Sequence, residues 1–256
     1  METNDQVADR HILSYGGGVN SVALLVLLLR EKYPLDGVVF ADTGGELPET
    51  YAYLEIAKDF LAQRDDSIPF TVVAKRGATL YETAWRRQVF PSAIWRWSTR
   101  DFKINPIMRH YRSLGGHVNQ YLAIAWNEVE RMRDSRFDYV TNIYPLVDRR
   151  MTREDCVEVI RKAGLPIPPK SACFFCPFGT IDRWRWIYDT HPDLYDKAMT
   201  LEENSKHFPL QRLTDQAFRK RTDISLRTLA ESFRSGEEML PFAGDQHPPC
   251  GAECWT

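Results

Sequence analysis

Along the first half of the chain, short unbroken apolar runs alternate with longer segments whose apolar residues recur at helical spacing. His11–Tyr15 (HILSY) is the first short run, and it ends in three successive glycines, Gly16, Gly17 and Gly18. Ser21–Lys32 follows, with an Ala-Leu-Leu-Val-Leu-Leu-Leu centre that is apolar nearly all round, which predicts a helix buried against a sheet. Gly37–Asp42 (GVVFAD) lacks the alternation of a half-exposed strand and predicts one covered on both faces. Pro48–Gln63 carries Tyr51, Leu54, Ala57, Phe60 and Leu61 near the 3.6 period of an amphipathic helix. Phe70–Ala74 and Gln120–Trp126 read as third and fourth strands, and Tyr139–Leu146 as a fifth that Pro145 weakens or confines to an edge. This rhythm predicts an α/β fold: an open, mostly parallel, Rossmann-like sheet flanked by helices.

Past Pro145 the texture changes. Thr152-Arg-Glu-Asp155 has the form of a capping box, and the helix it opens continues through Cys156–Ala163 to a stop at Gly164. Leu165-Pro-Ile-Pro-Pro169 is stiff connecting sequence and marks the expected boundary between an α/β domain over residues 1–165 and a mainly helical, cysteine-bearing lobe over 166–256. The lobe predicts helices at Ile181–Asp189 and Pro192–Asn204, then a polar segment and a terminal His-Pro-Pro-Cys-Gly-Ala-Glu-Cys. No internal repeat is visible.

Composition narrows the class. With 256 residues, 43% of them hydrophobic, the chain can bury a sizeable core, which excludes a disordered or fibrous protein. Thirty-three basic residues against 35 acidic ones give a net charge of −2, so the chain does not bind nucleic acid by overall charge alone. The N-terminus does not have the form of a signal peptide, and the longest apolar run, Val22–Leu29, falls well short of the roughly 20 residues a membrane helix needs. The expectation is a soluble cytoplasmic protein with no membrane partner and with reduced thiols. Oligomeric state stays open, a homo-oligomer included.

The glycine segment carries the first candidate chemistry. Ser14, Tyr15, Gly16, Gly17, Gly18, Val19, Asn20 and Ser21 lie between a strand and a buried helix. Successive glycines let backbone N–H groups converge, and the helix N-terminus adds partial positive charge, so the turn suits phosphate oxygens. A tight turn that needs glycine and binds nothing fits the same letters. The segment is neither a Walker A loop, since no Gly-Lys-Ser/Thr follows, nor the G-x-G-x-x-G of a dinucleotide fold.

Gly16-Gly-Gly-Val-Asn-Ser21 resembles the S-G-G-x-D-S pyrophosphate loop (PP-loop) of the adenine nucleotide α-hydrolase superfamily, which holds ATP pyrophosphatases and PAPS reductases. Two positions depart from that pattern: Gly16 stands for its first serine and Asn20 for its aspartate, with Ser14 available as a displaced hydroxyl. Phe40-Ala-Asp-Thr-Gly-Gly-Glu-Leu-Pro-Glu-Thr-Tyr51 is similar to the "F-x-D-T-G-x-x-x-P-E-T" segment of the PAPS-reductase-like members. Ser98-Thr-Arg-Asp-Phe-Lys-Ile-Asn-Pro106 is similar to their "C-T-x-x-x-K-x-x-P" element, with serine in place of cysteine. Trp126-Asn-Glu-Val-Glu-Arg131 sits where relatives carry an acid and an arginine.

The resemblance implies ATP and Mg²⁺ as cofactors. It implies Asn20, Asp42 and Lys103 as catalytic candidates, with the segment Ser14–Ser21, Asp42, Thr43, Glu128 and Arg131 around the nucleotide. In it, Asp42 faces ribose or magnesium, and Lys103 steadies a polyphosphate or leaving pyrophosphate. Read as single residues, these charged side chains fit a solvated surface equally well.

Cys173-Phe-Phe-Cys176 and Cys250-Gly-Ala-Glu-Cys254 are two close pairs separated by 73 intervening residues. Together they offer four soft ligands, the set that holds zinc or an iron–sulfur cluster, and two pairs of buried thiols would read the same way. Cys156, inside a helical pattern, reads as a small core residue. Lys170–Phe178 also resembles a PAPS-reductase-like subgroup from phages and modification clusters, whose relatives include iron–sulfur-dependent sulfur transferases acting on nucleic acid or nucleobases. That likeness implies a [4Fe-4S] cluster, with Zn²⁺ as the alternative, together with a nucleobase or nucleic-acid acceptor and a sulfur donor protein.

From Trp85 to Arg112 seven Lys/Arg face one acid, interleaved with Trp85, Trp95, Trp97, Phe102 and Tyr111, and Trp184-Arg-Trp186 adds a second cluster. Such stretches form base-stacking grooves, or core tryptophans with arginines reaching out past them. The implied function is an ATP-dependent adenylating sulfurtransferase. A sulfonucleotide reductase is the alternative, although neither the "E-C-G-I-H" element nor the adjacent Cys-Cys of such reductases appears. A nucleotide- or nucleic-acid-binding module without turnover is the third reading.

Overall fold

The computed structural model describes residues 9–89, 91, 96–177, 179–205 and 225–236. Five strands, β1 (Arg10–Tyr15), β2 (Gly37–Asp42), β3 (Phe70–Ala74), β4 (Val118–Leu122) and β5 (Val140–Ile143), form one sheet in the order β3-β2-β1-β4-β5. Every neighbouring pair is parallel, in registers such as Leu13↔Val38 and Ser14↔Leu122. The helices are α1 (Val19–Arg30), α2 (Pro48–Ala62), α3 (Leu80–Arg87), the short turn α4 (Trp97–Thr99), α5 (Asn105–Leu114), the short α6 (Pro145–Asp148), α7 (Arg153–Lys162), α8 (Ile181–Thr190), α9 (Pro192–Asn204) and α10 (Leu226–Ser235). A π turn at Arg100–Ile104 leads into α5, and a 3₁₀ segment spans Trp126–Arg131.

The strand pleat sorts side chains onto two faces. Leu13, Tyr15, Val38 and Phe40 point to the face covered by α1, α2 and α7, while Ile12, Val39 and Ala41 meet Ile107, Met108 and Tyr111 of α5 on the other. The near-continuous apolarity of α1 is thereby explained: Val22–Leu28 are all buried between the sheet and its neighbouring helices. β2 is covered on both faces, as its lack of alternation predicts.

Two strands are shorter at their ends than the sequence pattern predicts. The fourth strand ends at Leu122, four residues early, and Trp126 instead opens the 3₁₀ segment. The fifth spans only Val140–Ile143, at the sheet edge, because Pro145 starts a helical turn where its missing N–H costs nothing. Helices α3, α5 and α10 went unpredicted. α3 has a reciprocal capping box, in which Glu82 N donates to Thr79 Oγ1 (3.2 Å) and Thr79 N donates to Glu82 Oε2 (2.9 Å).

The C-terminal helices share a core with the α/β part of the chain. Leu47, Leu80, Trp97 and Phe102 pack in one cluster with Phe174, Phe175, Trp184, Tyr195 and Leu229. α10 is tied down by hydrogen bonds at its first residue, where Tyr195 Oη donates to Leu226 O (2.7 Å) and Leu226 N donates to Glu202 Oε2 (2.7 Å). No helix among the described residues is long and apolar enough to cross a membrane.

Candidate functional site

The chain leaves β1 for β2 and β3 on one side, and β4 and β5 lie on the other, so the strand order reverses between β1 and β4. Ligands of open parallel sheets collect outside the carboxyl ends of strands at such a point. A cavity of about 630 Å³ opens there. Its wall draws on the glycine turn after β1, Thr43 after β2, the residues following β4, the segment Arg96–Lys103 and the Lys170–Pro177 stretch.

Local geometry explains the glycines. Gly17 adopts φ +76°, and a Cβ there would meet Thr50 Cγ2 at 3.4 Å and Ser171 Cβ at 3.5 Å. Gly18 caps α1, and a Cβ on it would lie 3.1 Å from Ser171 Oγ. Ser21 closes the turn: its Oγ accepts from Gly18 N (3.1 Å) and donates to Gly18 O (2.8 Å). The Gly18 amide is therefore already engaged. The first N–H groups of α1, starting at Val19, have no acceptor within the helix.

Among the described residues, five basic side chains line the cavity, Arg96, Lys103, Arg131, Arg153 and Lys170, against the acids Glu128 and Glu154. Lys103 is among the expected residues; Arg96, Arg153 and Lys170 are additions. Arg153 opens α7, and no motif marks it in the sequence.

Asn20, Glu128 and Arg131, far apart in the chain, form one connected unit on this wall. Asn20 Nδ2 donates to Glu128 Oε2 at 3.0 Å, and Arg131 Nη1 lies 3.0 Å from Glu128 Oε1. Glu128 and Arg131 are both buried. A carboxylate repels the carbonyl end of an amide, so Glu128 fixes which way Asn20 points. Its Oδ1 is then buried without a hydrogen-bond partner.

Asp42 is not brought to the cavity. Its Oδ1 accepts from Gly44 N (2.7 Å) and from the Tyr51 hydroxyl (2.8 Å), which makes it the stabiliser of the β2–α2 turn. Burial, followed by the Asp42 hydrogen bond and charge, pushes the Tyr51 phenol above its ordinary range. Thr43 is buried on the cavity wall, and Ser14, also buried, lines it. Gly17 shapes the turn from behind and is not among the lining residues.

Cys173 and Cys176 stand on the same wall. Phe174 N donates to Gly45 O (2.9 Å), and Cys173 pairs with Glu46 in an isolated antiparallel bridge, so the Cys-Phe-Phe-Cys turn is fastened to the β2–α2 turn. Cys173 Sγ is 3.3 Å from Thr43 Oγ1 and 3.7 Å from Glu46 Oε1. Glu46, absent from the sequence expectation, is 6% exposed and accepts from Thr43 Oγ1 at 3.1 Å. Cys250 and Cys254 lie outside the described residues. Among the described residues no group of three or more His, Cys, Asp or Glu converges on a common point.

The aromatic stretches divide. Trp97, Phe102, Tyr111 and Trp184 are core, while Trp85 and Trp186 are exposed and Trp95 lies outside the described residues. Among the described residues these aromatics therefore do not form a continuous stacking groove.

A family model, the phosphoadenosine phosphosulfate reductase domain, matches residues 10–169. No curated protein matches the chain. Among solved structures, the crystal structure of phosphoadenylyl-sulfate (PAPS) reductase from Candida auris, as a phosphate complex, is similar at 16% identity over 62% of this chain and 75% of that one, with a TM-score of 0.42.

Proposed function

Because the chain belongs to the phosphoadenosine phosphosulfate reductase domain family, whose model covers the whole sheet, we propose that it is an enzyme that activates an acceptor with ATP and then thiolates it. The observation that carries this reading is a single cavity lined by both the glycine turn and the thiol-bearing Cys173–Cys176 turn. Nucleotide phosphates and a sulfur centre would thus face one acceptor.

In this reading the N–H groups at the start of α1 and the side chains of Lys103, Arg96 and Arg153 hold the triphosphate and orient its α-phosphorus. A carbonyl oxygen of the nucleobase acceptor attacks that phosphorus, the bond to the β-phosphate bridging oxygen breaks, and pyrophosphate leaves. Charge growing on the leaving group is met by the same cations, a contribution of a few kcal/mol per donor. Hydrosulfide, delivered by a donor protein, then bonds to the activated carbon through its sulfur, the carbon–oxygen bond breaks, and AMP and a proton leave. No electrons are exchanged in either step.

Mg²⁺ bound with the nucleotide would supply charge neutralisation, with the Glu128 carboxylate on the cavity wall as the oxygen donor that would hold it. Cys173 and Cys176, with Cys250 and Cys254, would hold a [4Fe-4S] cluster or Zn²⁺. The two described thiols share a tight turn, with Cys176 N donating to Cys173 O at 3.1 Å, which suits adjacent ligands of one soft metal centre. Such a cluster would supply a Lewis-acidic site for sulfide.

The test is pyrophosphate release from ATP with tRNA, DNA and free nucleobases as acceptors. Release dependent on one acceptor class, with sulfur incorporated into it, supports the scheme; no release with any of them overturns it. The family match favours a second reading, a sulfonucleotide reductase, which would form sulfite from PAPS and a thiol reductant without ATP.

A further inference from the structure

Between α7 and α8, the strap of residues 166–177 is fastened along its length. Tyr53 Oη on α2 donates to Pro166 O (2.6 Å) at its start. Arg183, in the first turn of α8, holds its middle: Nη1 donates to Lys170 O (3.1 Å) and Nη2 to Ala172 O (3.2 Å). Phe174 N donates to Gly45 O (2.9 Å) towards its end. A planar guanidinium that spans the carbonyls of two residues fixes the residue between them, and that residue is Ser171.

Ser171 lies against the glycine turn. A Cβ on Gly17 would come 3.5 Å from Ser171 Cβ, and one on Gly18 would come 3.1 Å from Ser171 Oγ, so the turn is bare where the strap meets it. Ser171 and Gly18 both line the cavity. Ser171 is partly buried, and its hydroxyl is bonded to no other described residue. The side-chain donors within Gly16–Ser21 are engaged elsewhere: Asn20 Nδ2 donates to Glu128 Oε2 (3.0 Å), and Ser21 Oγ donates to Gly18 O (2.8 Å).

We propose that Ser171 is a phosphate ligand supplied from across the cavity, donating its hydroxyl proton to a phosphate oxygen of the nucleotide on the glycine turn, with Arg183 as the positioning residue that holds it there. This rests on the nucleotide reading above and adds to it a side-chain donor that the turn itself does not supply. The cations of the cavity attract phosphate from a distance, whereas a hydroxyl bonded to an anionic oxygen is short and oriented, so Ser171 contributes register.

The experiment is calorimetric titration of ATP, and of inorganic pyrophosphate as a ligand that keeps only the phosphates, into wild type, Ser171→Ala, Arg183→Lys and the double variant, with thermal unfolding of each. Ser171→Ala should weaken both ligands by about tenfold or more, the worth of one hydrogen bond to a charged group. Its unfolding temperature should change little, since the hydroxyl has no partner in the protein. Arg183→Lys keeps the charge but cannot span both carbonyls, and it should weaken both ligands as well. The double variant separates positioning from a merely structural role. With the hydroxyl already gone, loosening the strap should cost no further affinity, and the protein should bind as Ser171→Ala does.

A Ser171→Ala protein that binds both ligands as wild type does overturns the proposal. Losses that simply add in the double variant overturn the role of Arg183. Wild type that binds neither ATP nor pyrophosphate is a different result: it overturns the nucleotide reading, and the role of Ser171 falls with it.

Discussion

Cys173 and Glu46 face each other across an isolated antiparallel bridge, with the thiol sulfur 3.7 Å from a carboxylate oxygen that is itself buried. The bridge joins two segments 127 residues apart and carries the Cys-Phe-Phe-Cys turn to the carboxyl end of the sheet. Two glycines permit it: a Cβ on Gly45 would lie 2.9 Å from Phe175 Cε1, and one on Gly44, at φ +67°, would lie 2.5 Å from Thr79 Cγ2. The thiols therefore line the same cavity as the glycine turn although they follow it by well over a hundred residues.

Replacing Cys173 or Cys176 by serine should separate the two halves of the proposed reaction. Metal content measured by elemental analysis and any visible absorption should fall, and thiolation of the acceptor should stop. Nucleotide binding by calorimetry should be unchanged, since neither residue belongs to the glycine turn. Full metal occupancy in both serine variants would remove the cysteines from the metal site.

Gly17→Ala and Gly77→Ala form a matched pair. Both glycines have left-handed φ, +76° and +88°, so alanine costs about 1–2 kcal/mol of stability at each. Gly77 has nothing within 4 Å of a built Cβ and lies away from the cavity, whereas Gly17 shapes the turn before α1. Only Gly17→Ala should weaken ATP binding, by about tenfold or more, as read by calorimetry. Equal affinities in the two variants would show that the turn is structural and holds no phosphate.

Asp42→Ala should behave as a folding variant. It removes the acceptor used by Gly44 N and the Tyr51 hydroxyl, a loss of about 1–3 kcal/mol that a denaturation curve reads directly. Nucleotide affinity should hold, because the carboxylate points into its own turn. A large loss of affinity with unchanged stability would return Asp42 to the binding machinery.

Much of this fold is legible in the sequence because α1 and the central strands β1, β2 and β4 are buried on both sides and read largely as apolar runs. The helices that sequence patterning passes over are short and half-polar. The capping box at Thr79 and Glu82 does mark the start of α3, and Asn105-Pro106 followed by Ile107, Met108 and Tyr111 marks α5. Motif likeness singles out the glycine turn, Lys103, Glu128 and Arg131, which the structure brings to the wall of one cavity. It cannot show that Asp42 turns away, since that depends on where the Tyr51 hydroxyl falls one helical turn into α2. Arg96, Arg153 and Lys170 reach the cavity through tertiary packing alone, and Glu46 earns its place only through the bridge to Cys173.

Cys156 supplies a pH-dependent prediction away from the cavity. It sits on α7 in the core shared with α1, fully buried, and burial first, then the Asp155 charge, pushes its thiol up to about 12. In the unfolded chain the thiol ionises near about 8.5. Below that value both states keep the proton and the thiol is neutral to stability comparisons. Above it the unfolded chain releases a proton that the folded protein retains, so stability falls as pH rises, by up to about 1.4 kcal/mol per pH unit, until the folded value near 12 is reached. Cys156→Ala removes this slope and leaves a roughly constant cost for the lost sulfur contacts. Urea denaturation of both proteins at intervals from about pH 8 to about pH 10.5 should show wild type losing its advantage as alkalinity increases. The buried tyrosines and the remaining cysteines are common to both, so they cancel in the difference. Parallel curves across that range would mean that the thiol ionises as readily folded as unfolded, and that α7 does not seal it against α1.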